Sequence, residues 1–156
     1  MGEIRADIRI TNHEDLLLAD RNIIGKEEVR SVLLDALVDT GAVMILLPQD
    51  AVEALGLRKV DQVIVALAND QKIEMGVTNS ILLQVGNRRM VTDALIGPTQ
   101  CEPLIGQLVL ERLDLMIDPL NRTISPRPES PFLPLVKMKK KRCNGYANIK
   151  FEVKCS

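Results

Sequence analysis

The sequence predicts a mainly β domain, a small barrel or sandwich carrying one or two short helices. Three observations predict it. Short runs of apolar or alternating residues recur along the first 124 positions. Two pairs of runs are joined by hairpin signals, Ala68-Asn69-Asp70-Gln71 and Gly86-Asn87. Only two segments carry helix punctuation.

The elements follow in order. Ile4 to Thr11 sends Ile4, Ala6, Ile8 and Ile10 one way and Arg5, Asp7, Arg9 and Thr11 the other, as a half-buried strand does. Asn12 to Lys26 reads as a loop with a helical turn near Asp15–Ala19, with Asn22 and Gly25 as turn signals. Val29 to Val38 is a second strand and Val43 to Leu47 a short third. Pro48 opens a helix over Gln49–Leu55 that Gly56 closes, the usual placement of the two residues. Val60–Leu67 and Lys72–Met75 form one hairpin, because Asn and Asp tolerate positive φ at its tip. Val77–Val85 and Arg88–Ile96 form another across Gly86-Asn87. Leu104-Ile105-Gly106 leads into a short helix, Gln107–Leu113. A brief strand, Leu115–Ile117, then stops at Asp118-Pro119, which reads as a turn.

Composition bounds the rest. A chain of 156 residues suits one domain and is too short for two catalytic lobes of ordinary size. Nearly half of it is apolar and only 2% aromatic, so Leu, Val, Ile and Met must fill the core. Residues 1–124 carry a formal charge of −7 and residues 125–156 one of +6. Pro126, Pro128, Pro131 and Pro134 oppose regular structure there, and Lys137–Arg142 is a basic run. The expected division is a domain at 1–125 and an extended or disordered basic tail at 126–156. That tail reads as solvated rather than nucleic-acid- or lipid-binding, since no stacking aromatics interrupt its basic run. Cys101, Cys143 and Cys155 are odd in number and lack Cys-x-x-Cys spacing. They read as reduced thiols, with a disulfide or metal site as the alternative. His13, the single histidine, reads as a surface loop residue, and one histidine without a cysteine cluster argues against zinc. The charged N-terminus has no apolar signal core, no run reaches the length of a membrane span, and Ala6 rules out myristoylation at Gly2. The expectation is a soluble, cytoplasmic protein without membrane or nucleic-acid partners.

The chemistry concentrates in Ala36-Leu37-Val38-Asp39-Thr40-Gly41-Ala42. An apolar strand delivers a carboxylate rigidly and partly desolvated. Thr40 supplies one hydroxyl donor and two acceptor positions, and Gly41 permits a tight turn with room above it. Alone, the tripeptide also suits a plain turn. Downstream, Ala94-Leu95-Ile96-Gly97-Pro98-Thr99, then Pro103-Leu104-Ile105-Gly106 and a helix, match it in order and spacing. Together these motifs resemble the retroviral-type (retropepsin-like) single-domain aspartic proteases over about residues 5–125. Leu47-Pro48 through Leu55-Gly56-Leu57, and Ile117-Asp118-Pro119, look like the bacterial members.

The resemblance implies a small closed β-barrel of the retroviral protease type. It implies Asp39 as the catalytic carboxylate and Thr40, Gly41 and Ala42 as the active-site loop. Ala68, Asn69, Asp70 and Gln71 would be the tip of a flap over substrate. Leu104, Ile105 and Gly106 would support the loop from behind. The tip lacks the glycines or aromatic frequent in the family, and Val43 stands where retroviral enzymes carry an acid. No second Asp-Thr/Ser-Gly exists, so a homodimer would supply the second carboxylate. The implied activity is an aspartic endopeptidase acting on peptides or proteins with no metal and no cofactor. The alternative is a non-catalytic dimeric binding module on the same fold.

Overall fold

The structure, a computed structural model, describes residues 2–137. Cys143, Cys155 and all of the basic run after Lys137 lie outside the described residues. Among the described residues there are eleven strands, three short α-helices and one 3-10 turn, Lys26–Glu28. Strands β1 (Arg5–Asn12), β2 (Ser31–Val38), β3 (Leu46–Pro48), β4 (Lys59–Ala66) and β5 (Lys72–Thr78) come first. Next are β6 (Ile81–Val85), β7 (Arg88–Thr92), β8 (Leu95–Gly97) and β9 (Leu104–Ile105). Strands β10 (Leu115–Asp118) and β11 (Thr123–Pro126) close the series. The helices are α1 (His13–Asp20), α2 (Gln49–Ala54) and α3 (Gln107–Leu113). The all-β expectation holds. Nine strands form one sheet in the order β4-β5-β8-β3-β9-β2-β1-β6-β7, and it curls into a half-barrel. Strands β10 and β11 make a separate two-stranded ribbon.

Alternation builds the sheet. In β1, Ile8 and Ile10 are fully buried while Asp7 and Arg9 are exposed. The strand runs antiparallel to β2 on one side and to β6 on the other. Ile8, Ile10, Leu47, Leu55, Ile81, Leu83, Ile105 and Leu113 centre the core, which is aliphatic throughout as the composition requires. The β6–β7 hairpin turns at Gly86, whose φ of 58° suits the first position of a two-residue turn. Gly56 ends α2 at φ 63°, and a Cβ there would collide with the Arg30 guanidinium.

Several boundaries differ from the sequence expectation. Asn12 caps α1 by accepting from the Asp15 backbone N–H, so His13 opens a two-turn helix rather than sitting in a loop. Glu14 and Asp15 in its first turn add favourable charge. The long strands expected at 77–85 and 88–96 each break at one shared corner. There the Thr78 hydroxyl accepts from the Ala94 N–H at 3.1 Å, and the Asn79 side chain accepts from the Arg58 N–H at 2.9 Å. Both chains leave the hairpin direction at that corner. The third strand starts at Leu46, and the Val43 carbonyl accepts from the Leu108 N–H instead.

The boundary expected near residue 125 falls inside β11, where Pro126 pairs with Leu115. Beyond it a strap folds back on the end of α3. Asp114, in left-handed conformation, accepts from the Ser130 hydroxyl, from the Leu135 N–H and from Arg127. These donors, with the Ser130 bond foremost, hold the Asp114 carboxyl below its ordinary range. Buried Arg88 donates to the carbonyls of Leu113 and Ser130, placing its charge at the negative end of the helix.

Candidate active site

Asp39 follows directly on β2, and three sets of backbone bonds fix its loop. Strand β9 runs parallel to β2, pairing Leu37 with Leu104 and Val38 with Ile105. Its other side meets β3 at Leu46. A strand from far along the chain is therefore threaded between the strands that enter and leave the Asp39 loop. The Asp39 N–H donates to the Ile105 carbonyl at 3.0 Å. The Gly41 N–H donates to Asp39 Oδ1 at 2.9 Å and the Ala42 N–H to the Asp39 carbonyl at 3.2 Å. One carboxylate oxygen is thus anchored.

The start of α3 completes the clamp. The first N–H groups of a helix have no partner within it. Here the Gln107 N–H donates to the Ala42 carbonyl at 2.8 Å and the Leu108 N–H to the Val43 carbonyl at 3.1 Å. Such close approach requires glycine at the crossing. A Cβ on Gly106 would lie 2.6 Å from the carbonyl oxygens of Val43 and Met44. Leu104, Ile105 and Gly106 therefore lie against the Asp39 loop. The roles of Gln107 and Leu108 were not legible in the sequence, because their bonds are made by the backbone.

Asp39 is half-buried, whereas Thr40 and Gly41 are exposed. Val43 and Leu108 expose apolar side chains beside them, at 62% and 51%. Two other acids, Asp35 and Asp118, neither followed by Thr/Ser-Gly, have structural partners. Glu102 accepts from the Arg5 side chain, and Asp35 does so at 2.7 Å, an arrangement that raises the arginine's pKa. Asp118 closes the β10–β11 turn by accepting from Asn121 and from the Leu120 N–H, which lowers its pKa.

Strands β4 and β5 pair as a hairpin that meets the rest of the sheet through Val77 and Leu95. Ala68, Asn69, Asp70 and Gln71 form its exposed tip. Asp70 has a φ of 63°, and the Asn69 side chain accepts from the Gln71 N–H at 3.1 Å. Val63 faces Met75 and Val65 faces Ile73 across the strands, giving one aliphatic, half-buried face. Ile64 opposite Glu74 lies on the exposed face. A cavity of about 330 Å³ lies between Val63 and Val77 of this hairpin, Met44 of the Asp39 loop and Leu108 of α3. A larger one, about 630 Å³, lies instead between α3 and the strap, lined by Leu110, Asp114, Arg127 and Leu135. Asp39 lines neither. Among the described residues no group of three His, Cys, Asp or Glu side chains could hold a metal ion. Nor is any helix there long and apolar enough to cross a membrane.

Comparison with known proteins gives the same picture. The retroviral protease-like domain of Ddi1 from Leishmania major superimposes with a TM-score of 0.53 at 15% identity. The match covers 82% of this chain and 90% of that one, and at that identity it speaks for the fold. No curated protein matches the sequence. The family described as "gag-polyprotein putative aspartyl protease" matches residues 28–112, the stretch from before β2 to within α3 that contains Asp39, the β4–β5 hairpin and the β9 crossing. The chain belongs to that family of retropepsin-like aspartyl proteases.

Proposed function

We propose that the protein is a homodimeric aspartic endopeptidase in which Asp39 of each copy flanks one water. The observation that carries this is the anchored carboxylate of Asp39, one oxygen fixed by Gly41 and the loop clamped by β9 and α3. A single carboxylate cannot act as base and acid at once. A two-fold axis beside the loop brings two copies of Asp39 together. The exposed Thr40, Val43 and Leu108 are then covered by the partner, and Thr40 ties the two loops.

Two carboxylates about 3 Å apart repel by roughly 5 kcal/mol at an effective dielectric near 20, which is about four pK units. The dyad therefore holds one proton. Its ionised member takes a proton from the water, and its protonated member donates to the scissile carbonyl. The β4–β5 hairpin acts as the flap, with its aliphatic face toward substrate and Ala68–Gln71 at its tip. Leu104, Ile105 and Gly106 keep the loop in place. The segment from Leu47 to Leu57 supports a place among bacterial-type single-domain members. The cysteine pattern supports a cytoplasmic location.

The test is hydrolysis of casein or a peptide library between pH 4 and 7, with Asp39→Asn as control. Wild-type activity that the variant lacks is the expected result; equal cleavage or none defeats the proposal. One observation favours a second reading, a non-catalytic binding module: Asp39 lines neither of the cavities described above. A dimer that binds peptide without cutting it would establish that alternative.

A further inference from the structure

We propose that the cavity between α3 and the strap is a docking groove for this chain's own C-terminal segment, residues 146–153. The inference does not depend on whether Asp39 cuts peptides.

Both walls of the groove are held in place. The strap wall is fixed by Asp114, which accepts from Ser130, from Arg127 and from the Leu135 N–H. The other wall is α3, which contributes Leu110, buried, and Glu111 and Arg112, exposed. Between them lie about 630 Å³, within the usual range of pockets that hold a ligand. Leu135 and Val136 line this space and are 55% and 57% exposed, so the groove presents adjacent apolar side chains to water. Uncovered apolar surface around a concavity marks a place of contact.

Position, pattern and charge all name the occupant. Lys137, the last described residue, itself lines the cavity, so residues 138–156 start at its lip. Within them Ile149, Phe151 and Val153 alternate with Lys150, Glu152 and Lys154, the pattern of a segment with one apolar face. Asn144-Gly145, just before, is a chain-reversing dipeptide. Residues 138–145 reach at most about 28 Å when extended, and a reversal at their end sends residues 146–153 back toward the lip. Glu111, Glu129 and Arg112 line the cavity and take part in no salt bridge among the described residues. Lys150, Glu152 and Lys154 bring the opposite sign to each of them. A segment tethered at the lip is also present at a high effective concentration, which favours it over a second copy or a foreign peptide.

Tyr146 is the only tyrosine and the chain has no tryptophan, so tyrosine emission of the full-length protein reports this segment alone. The experiment measures its quenching by acrylamide and its anisotropy, with N-acetyltyrosinamide as the fully exposed standard. The expected result is quenching several-fold weaker than the standard's, and unchanged on dilution. Phe151→Asp, on the segment, and Val136→Asp, on the groove, should each restore quenching close to the standard's and lower the anisotropy. Circular dichroism should stay as in wild type for both, since neither residue lies in the core. Wild-type quenching equal to the standard's overturns the proposal. So does protection that Phe151→Asp removes and Val136→Asp leaves intact, because the segment then docks elsewhere. Protection that fades on dilution, in step with the weight-average mass, assigns the segment to a second copy and is equally fatal.

Discussion

Replacing the carboxylate of Asp39 with an amide keeps the acceptor oxygen that Gly41 uses and removes the proton chemistry. Asp39→Asn should therefore lower kcat by about 10³-fold with an unchanged circular dichroism spectrum, since positioned acid–base groups contribute about 10²–10⁴. Gly106 and Gly86 make a second, paired comparison at this scale. A methyl on Gly106 meets backbone carbonyl oxygens at 2.6 Å, whereas one on Gly86 meets nothing within 4 Å and only its φ of 58° is strained. Gly106→Ala should cost about 3 kcal/mol and Gly86→Ala about 1 kcal/mol in urea unfolding. Acid sensitivity belongs here too. The Arg30 side chain holds the Asp15 carboxyl below its ordinary range, as Ser130 does for Asp114. Both carboxylates bind protons more weakly folded than unfolded. Their stabilisation is therefore present above about pH 4 and is lost as pH falls through the folded values. The urea midpoint should drop between pH 5 and pH 2, and less so in an Asp15→Asn chain.

Among the elements, the β4–β5 hairpin, proposed as the flap, should separate function from stability. It meets the sheet through one register pair, Val77 with Leu95, so its outer part supports little else. Val65→Ser, on the aliphatic face, should lower kcat/KM about tenfold and shift the melting temperature by only a few degrees. Ile64→Ser, on the exposed face, should leave both nearly unchanged. Steady-state kinetics beside thermal melts decides this. These elements also mark how far the sequence was legible. Period-two alternation in β1, the Asn69-Asp70 and Gly86 turns and the Pro48–Gly56 bracket around α2 are local signals, and each was readable. Asn12 followed by Glu14 and Asp15 is a readable helix cap as well, although the sequence expectation covers only a helical turn near Asp15–Ala19 of the helix His13–Asp20. The breaks at Thr78-Asn79 and Asp93-Ala94 were not readable. They arise from a side chain on one strand accepting from the backbone of another, sixteen residues away for Thr78 and Ala94. At the site, Asp39, Gly41 and Gly106 stood out as residue types. The carbonyls of Ala42 and Val43 that seat α3 did not, because backbone bonds leave no mark on side-chain identity.

At the scale of the whole molecule, the proposed reaction needs two chains. Specific activity should fall on dilution, in step with the weight-average mass measured by analytical ultracentrifugation. A Val43→Asp chain, charged at an exposed position beside the loop, should dissociate at higher concentration than wild type. Specific activity that stays constant while the mass halves would refute the shared site.

Strand β9 lies between the strands on either side of Asp39, yet it is synthesised some 65 residues later. A ribosome that has produced only the first hundred residues holds a chain with the acid present and its seat missing. On the proposed endopeptidase reading, such a fragment should hydrolyse no casein until α3 is present, which a chain truncated after residue 100 would test.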